Sequence, residues 1–427
     1  MPSHTRPTAP KEITSTFASR ASLLAALALV ASSTACAVQM DGNETTSEQE
    51  LAAKLPPGGA GDTKPPIDWP SILDQLVEIS AGNHHTCVRK LNGNVYCWGL
   101  TSYGQAGPAN ATCQSGYSCV TQPQSVGIKA QQVDLGYDHS CVVDRFGSGR
   151  CWGANHNAQL GNGSVVITPN LPASSQPVAF NGSALVLSSL GAGSFTSCGI
   201  EAGTGQVFCW GMAGPGAYLG GSGVSTPNPL RNSGGIVLDR IDAISTSHAG
   251  ACITFNLTIG GTENYCFVGT NANGNSNLVS AFDQSALRIS TQSTFTCADK
   301  ANGTVECFGY GNEGQLGDGA QTSSSTPVLV GNGMPLHGVS AGDSQACALD
   351  PAGTVHCWGN LSSGGSTTPV AVSTPVPLTS LAAGGKHACG LGNDGNIYCW
   401  GSNIYGQLGT GGWTKRSPGV VRTNTPS

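Results

Sequence analysis

The chain has 427 residues, only 10% of them charged, with 61 glycines and a formal net charge of −6. No basic block occurs anywhere, which excludes the electrostatic footprint of a nucleic-acid-binding protein. Scarce Glu and Lys beside abundant Gly, Ser, Thr and Asn exclude a mainly helical chain and favour many short strands joined by turns.

Residues 1–35 have the pattern of an export signal. Arg6, Lys11 and Arg20 supply a positive region, and Leu23 to Ala31 an apolar stretch too short to span a bilayer. Ser32, Ser33, Thr34 and Ala35 then lead to Cys36. A Cys after small residues and an apolar stretch resembles the bacterial lipobox, with Ser33 in place of the usual Leu. The resemblance implies acylation at Cys36, and Ala37 after it resembles the outer-membrane sorting class. An ordinary signal peptide cut nearby is the alternative. Residues 36–70, acidic and then rich in Ala, Pro and Gly, have little to bury and are expected to form a flexible tether.

The remaining cysteines organise residues 71–427. Cys87/Cys97, Cys141/Cys151, Cys297/Cys307, Cys347/Cys357 and Cys389/Cys399 are each ten apart, Cys198/Cys209 eleven and Cys252/Cys266 fourteen. Cys113/Cys119 is a close extra pair, and the seventeenth cysteine is Cys36. Between Cys347 and Cys357 two apolar runs flank Pro351, Ala352 and Gly353. A three-residue hairpin loop favours Gly at its third position, and this register puts the two cysteines opposite each other, within disulfide reach. The same count places Gly93, Gly147, Gly303 and Gly395 in the third loop position, and Gly260 in a longer hairpin. Cys198/Cys209 needs a four-residue loop, Ala202 to Gly205. Zinc pairs usually sit two to four residues apart, so cross-strand disulfides are the expectation for an exported chain.

Each hairpin lies in a larger unit. Upstream is Ala81-Gly82, Leu135-Gly136, Ala192-Gly193, Ala341-Gly342 or Ala383-Gly384. Downstream, Trp98, Trp152, Trp210, Trp358 and Trp400 follow the second cysteine, with Phe267 and Phe308 in repeats four and five. Gly314-Gln315-Leu316-Gly317 and Gly406-Gln407-Leu408-Gly409 are complete turn motifs, with near matches at Gln105 and Gln159. The period of about 50 residues suits a four-stranded propeller blade. The run Ala-Gly-x-x-His-x-Cys, turn-Gly, Tyr-Cys-Trp-Gly, Tyr-Gly-Gln-Leu-Gly resembles the regulator of chromosome condensation repeat over about residues 75 to 421. The resemblance implies an all-β fold, a seven-bladed β-propeller. The segment from Pro418 to Val421 is expected to complete the blade begun at Ile72 to Ser80, closing the ring by pairing the N- and C-terminal strands.

No catalytic motif is present: there is no Gly-x-Ser-x-Gly, His-Glu-x-x-His or phosphate loop. Glu313 and Asp318 flank a turn motif and suit a solvated position. His85, His139 and His387 each stand two before a first cysteine in blades that ring closure would make neighbours. A metal site there lacks a recurring carboxylate, and a strand-end hydrogen bond is the simpler expectation. The reading is therefore a non-catalytic, cofactor-free binding module, a monomer held in the bacterial cell envelope by its lipid alone, whose partner is an unknown protein or envelope ligand. An inhibitor of an enzyme such as a β-lactamase, which the secreted branch of the family suggests and a cluster of rim aromatics would support, is one alternative. A nucleotide-exchange factor and a propeller lyase are others. The loop Pro108 to Gln132 carries its own cysteine pair and a single aromatic residue, Tyr117, which makes it the expected contact surface.

Overall fold

The computed structural model describes residues 74–165, 171–211, 224–231, 236–246, 250–256, 262–270, 276–362, 364–413 and 420–423. The signal and tether segments, Cys36, Ile72, Gly260 and Pro418 lie outside the described residues. Pro70–Ser427 is a compact unit built almost wholly of antiparallel strands. Among the described residues no helix is long and apolar enough to cross a membrane.

Seven repeats give seven blades, each with an inner strand and a hairpin and, in all but blade 2, an outer strand. Blade 7 shows the order: Leu378–Ala383, His387–Gly392, Ile397–Gly401 and Val421–Arg422. Blades 3 to 7 are separate four-stranded sheets. Blades 1 and 2 share one sheet because the long strand Ser118–Leu135 serves both. Its first half is the outer strand of blade 1 and its second half the inner strand of blade 2. The outer place in blade 2 is held by a single bridge from Pro177 to Arg150.

The hairpin register follows from the loops. Cys347 lies opposite Cys357 and Leu349 opposite Val355, and Asp350 N–H bonds the Thr354 carbonyl at 2.9 Å. Gly353 has φ of +80°, a left-handed conformation that glycine adopts without a Cβ clash. The hairpin at Ala202 to Gly205 has four loop residues, closed by Glu201 N–H to the Gln206 carbonyl at 2.8 Å. The long hairpin of blade 4 stays paired out to Asn256 opposite Thr262.

Every cysteine among the described residues is in a disulfide, and each hairpin carries its own. In chain order Cys87 is bonded to Cys97, Cys141 to Cys151, Cys198 to Cys209 and Cys252 to Cys266. Cys297 is bonded to Cys307, Cys347 to Cys357 and Cys389 to Cys399. In all seven the two cysteines face each other across the antiparallel pair, with Cα atoms 4.0–4.1 Å apart. The longer loop of Cys198–Cys209 and the longer strands of Cys252–Cys266 leave that facing geometry unchanged, because both keep the count of residues on the two strands equal. The eighth bond, Cys113–Cys119, spans a loop, and its Cα atoms are 6.0 Å apart.

One expectation is corrected. The terminal strand does not pair with the first blade: Val421 lies opposite Cys399 and Arg422 opposite Tyr398, so it completes blade 7. The Gly-Gln-Leu-Gly turn reverses the chain beside the Cys-Trp-Gly strand of its own repeat. Each blade is thus continuous in sequence, and Pro327-Val328 likewise belongs to the outer strand of blade 5. Blades 7 and 1 meet instead through side chains and through loop backbone bonds, Gly385 N–H to the Asn83 carbonyl at 3.1 Å and Gly411 N–H to the Thr121 carbonyl at 2.8 Å.

Candidate functional site: joints between blades and an aromatic rim

The recurring polar residues of the repeat build the contact from one blade to the next. Gln105 folds its side chain back so that Oε1 accepts Tyr103 N–H at 3.0 Å. Its carbonyl then faces blade 2, where it accepts Trp152 Nε1–H at 2.9 Å and the Ser140 hydroxyl at 2.9 Å. His85 of blade 1 bonds the same hydroxyl through Nε2 at 2.9 Å. Since the hydroxyl hydrogen goes to the carbonyl, the imidazole N–H is the donor to Ser140. The joint recurs between blades 2 and 3, with His139 to Ser197 at 2.8 Å and Trp210 to the Gln159 carbonyl at 2.9 Å. Between blades 7 and 1, His387 bonds Thr86 at 2.8 Å and Trp98 donates to the Gln407 carbonyl at 2.8 Å. These bonds join the first blade to the last.

Burial holds the three imidazoles neutral, with pKa values lowered to about 3. Each is committed to a different joint, and no group of three or more His, Cys, Asp or Glu suited to a metal occurs among the described residues. The joint also accounts for four of the five tryptophans that follow a second cysteine. Trp98, Trp152, Trp210 and Trp358 are fully buried, and each donates to the Gln carbonyl of the preceding blade. Repeat six lacks that motif, and Trp400, which follows it, is only half-buried.

The Ala-Gly dipeptides bring the inner strands together at the same end of the blades. A Cβ on Gly136 would lie 2.2 Å from the Gly193 carbonyl oxygen, so no side chain fits. Blade 5 carries Gln292 at this position. Its amide donates to the Ala81 carbonyl of blade 1 at 3.0 Å, and Ser194 of blade 3 bonds its backbone carbonyl at 3.4 Å. Behind Gln292 lies a cavity of about 430 Å³ lined by the inner strands of all seven blades. Its carboxylates are engaged. Glu78 pairs with Arg89 at 2.6 Å, and Asp134 accepts Ala192 N–H at 2.9 Å, Leu135 N–H at 3.0 Å and the Ser80 hydroxyl at 3.1 Å. Burial pushes Asp134 up to about 6 against those bonds. The His–carboxylate bond from His356 to Asp350, 3.2 Å, sits at the hairpin end of blade 6, away from this mouth.

Around the mouth runs an arc of aromatic rings. Phe195 of blade 3 lies 6.0 Å from Tyr137 of blade 2, and Tyr137 lies 6.2 Å from His84 of blade 1. His84 lies 4.9 Å from Tyr405 in the turn after the third strand of blade 7, and Tyr405 lies 5.6 Å edge-on from Tyr117. The Cys113–Cys119 loop thus leans across the seam onto blade 7, where Gln114 N–H also approaches the Ile404 carbonyl at 3.4 Å. Tyr117 is 47% exposed; the other four rings are half-buried. Burial lowers His84 to about 4, so it too is neutral near pH 7.

Sequence reasoning reaches Tyr117 and misses its four neighbours. His84, Tyr137 and Phe195 occupy the two places between the Gly and the position two before the cysteine, which vary from blade to blade. That variation beside a recurring frame was the available signal. Tyr405 was hidden inside the Tyr-Gly-Gln-Leu-Gly motif. Glu313 is exposed and accepts Asn360 Nδ2–H at 2.7 Å, and Asp318 caps its own turn through Ala320 N–H at 3.0 Å.

The described residues define a class of protein: a seven-bladed β-propeller with stapled blades and a repeated polar joint between them. Two family profiles, both of the regulator of chromosome condensation (RCC1) repeat, match residues 76–105 and 378–407 in one case and 302–349 and 394–426 in the other. The chain carries RCC1-type repeats at these residues. The ultraviolet-B receptor UVR8 of Arabidopsis thaliana is 25% identical over 327 residues, covering 72% of this chain and 70% of that protein. Human E3 ubiquitin-protein ligase HERC2 is 25% identical over 335 residues, which is 73% of this chain but only 7% of that protein. Among solved structures, Prp20p from Saccharomyces cerevisiae, described with its binding to Gsp1p and histones, superposes with a TM-score of 0.59 at 14% identity. That match covers 75% of this chain and 84% of Prp20p.

Proposed function

We propose that the protein is a non-catalytic binding module that captures another protein at the cell envelope through its aromatic rim. The observation that carries this is the arc of Phe195, Tyr137, His84, Tyr405 and Tyr117, contributed by four blades and gathered at one end of the propeller. Rings of this kind, rigid and part-exposed, are the side chains over-represented where binding energy concentrates. Prp20p, which shares the fold, is described as binding Gsp1p and histones. The cleft chemistry gives no competing catalytic reading, because the cavity carboxylates and the three joint histidines are engaged in holding blades together.

Export and acylation at Cys36 would tether this rim to the bacterial outer membrane, the protein acting as a monomer without a cofactor. The eight disulfides suit that oxidising compartment. A photo-crosslinking residue placed at Tyr405 or Tyr137 of the full chain, expressed in its host, tests the surface. The account expects a discrete adduct from either rim position and none from Phe146, a 66% exposed ring on a hairpin at the opposite end of blade 2. Adducts from Phe146 alone would overturn it.

A further inference from the structure

We infer that the rim recognises an arginine side chain presented by the partner, stacked on the Tyr405, His84 and Tyr137 rings and paired with Asp138 and Asp343. The inference rests on the rim being the contact surface and adds the chemistry of what it takes. It starts from how this protein treats its carboxylates elsewhere. Glu78 has Arg89 at 2.6 Å, Asp144 has Arg150 at 2.9 Å, and Glu306 has Lys300 at 2.9 Å. Asp299 accepts two backbone N–H groups, from Gly338 and Val339, each at 3.0 Å. Carboxylates in the body of the propeller are therefore neutralised by a cation or by several donors, as partial burial demands.

Asp138 and Asp343 break that pattern. Both are half-buried in the short loops at the mouth, and among the described residues neither is in an ion pair. Asp138 accepts one neutral hydrogen bond, from Gln105 Nε2–H at 3.3 Å, and burial pushes it up to about 6. Asp138 directly follows Tyr137 in the blade 2 loop, and Asp343 follows Gly342, which packs against the Gly384 carbonyl of blade 7. The charge of Asp138 acts on Tyr137 and Tyr405, and that of Asp343 on His84 and Tyr137. The carboxylates and the rings thus belong to one patch. The cation acting on His84 there is Lys386, which is exposed.

A cation approaching this patch meets ring faces and under-compensated negative charge together. A planar guanidinium satisfies both, since it stacks on aromatic faces and bonds a carboxylate through two parallel N–H groups. An ammonium makes a point contact and gains less from the rings. Arginine is therefore the residue the patch selects.

The test is titration calorimetry of the full chain with tetra-arginine, tetra-lysine and tetra-glutamate peptides as probes. The expected order is arginine tighter than lysine by about tenfold, with glutamate silent. Asp138→Asn should weaken arginine binding about tenfold, and Tyr405→Leu should bring arginine down to the level of lysine. Glu201→Gln, at the hairpin end of blade 3, should change neither, and unaltered circular dichroism and melting would show that the variants fold. Equal arginine and lysine affinities insensitive to Asp138→Asn would overturn the inference. So would host crosslinking at Tyr137 that Tyr405→Leu abolishes and Asp138→Asn leaves intact, since the rim would then bind by other chemistry. If neither variant alters that crosslinking, the rim reading itself falls with the inference.

Discussion

Replacing Ser140 by Ala isolates one joint between blades. The hydroxyl links His85 Nε2 at 2.9 Å to the Gln105 carbonyl at 2.9 Å. Without it the carbonyl keeps Trp152 as a donor, but the His85 N–H is left buried with no acceptor. An unsatisfied buried donor costs about 1–3 kcal/mol. For a propeller of this size that lowers the melting midpoint by roughly 2–4 °C. The protein contains its own control. At the joint between blades 5 and 6 the equivalent residues are Phe295 and Ala346, both fully buried and apolar. The His85→Phe/Ser140→Ala double substitution copies that pair and removes donor and acceptor together. It should melt above the Ser140→Ala single variant, with a coupling of about 1–2 kcal/mol in the double-mutant cycle. Differential scanning calorimetry at pH 8 with the disulfides intact gives the four midpoints. Additive shifts would refute the claim that histidine and hydroxyl act as one unit.

Acid should loosen the joints: His85, His139 and His387 have pKa values near 3 when folded and about 6.5 when unfolded. Their contribution is complete above pH 6.5 and is lost as pH falls toward 3, by about 2 kcal/mol per imidazole at pH 5. Asp134 and Asp138, raised to about 6, hold protons in the folded state and offset part of this. The measurement is therefore the difference between the parent and the His85→Phe/Ser140→Ala protein from pH 8 to 5, where the double variant should lose less stability. Trp98→Phe should destabilise more than Trp400→Phe in urea unfolding, because only Trp98 is fully buried and donates to a Gln carbonyl. Each hairpin staple should contribute about 2–3 kcal/mol, so reduction should lower the unfolding midpoint. Non-reducing peptide mapping should return Cys87 with Cys97, Cys141 with Cys151 and Cys297 with Cys307, and never a link between blades. Cys36→Ser should release the protein from membranes in detergent partitioning, and equal retention would remove the anchor from the account.

The blades are legible in the sequence because a hairpin is a local object. Cysteines ten positions apart and a glycine at the third loop position set register and turn together, as Gly353 and the Leu349–Val355 pair show. Ring closure was not legible in detail. Strand pairing of the chain ends is one way to seal a propeller, and Val421 joining Cys399 depends on which neighbour the last turn reaches. His85 could be recognised as a hydrogen-bonding residue, but its partner Ser140 lies in the next repeat, 55 positions on. The rim is the least legible part. Tyr137 and Phe195 are single aromatic residues in separate repeats, 58 positions apart, and only the ring of blades brings them within 6.0 Å.

The account turns on where a partner touches the propeller, and hydrogen exchange on the complex reads that directly. Once a crosslinked partner has been identified and purified, backbone protection on binding should concentrate at residues 83–84, 114–118, 137–138, 194–195, 343 and 404–405. The hairpin loops near Phe146, Gly303 and Gly353 should exchange at their free rates. Protection confined to those hairpins, with the rim unchanged, would contradict the account.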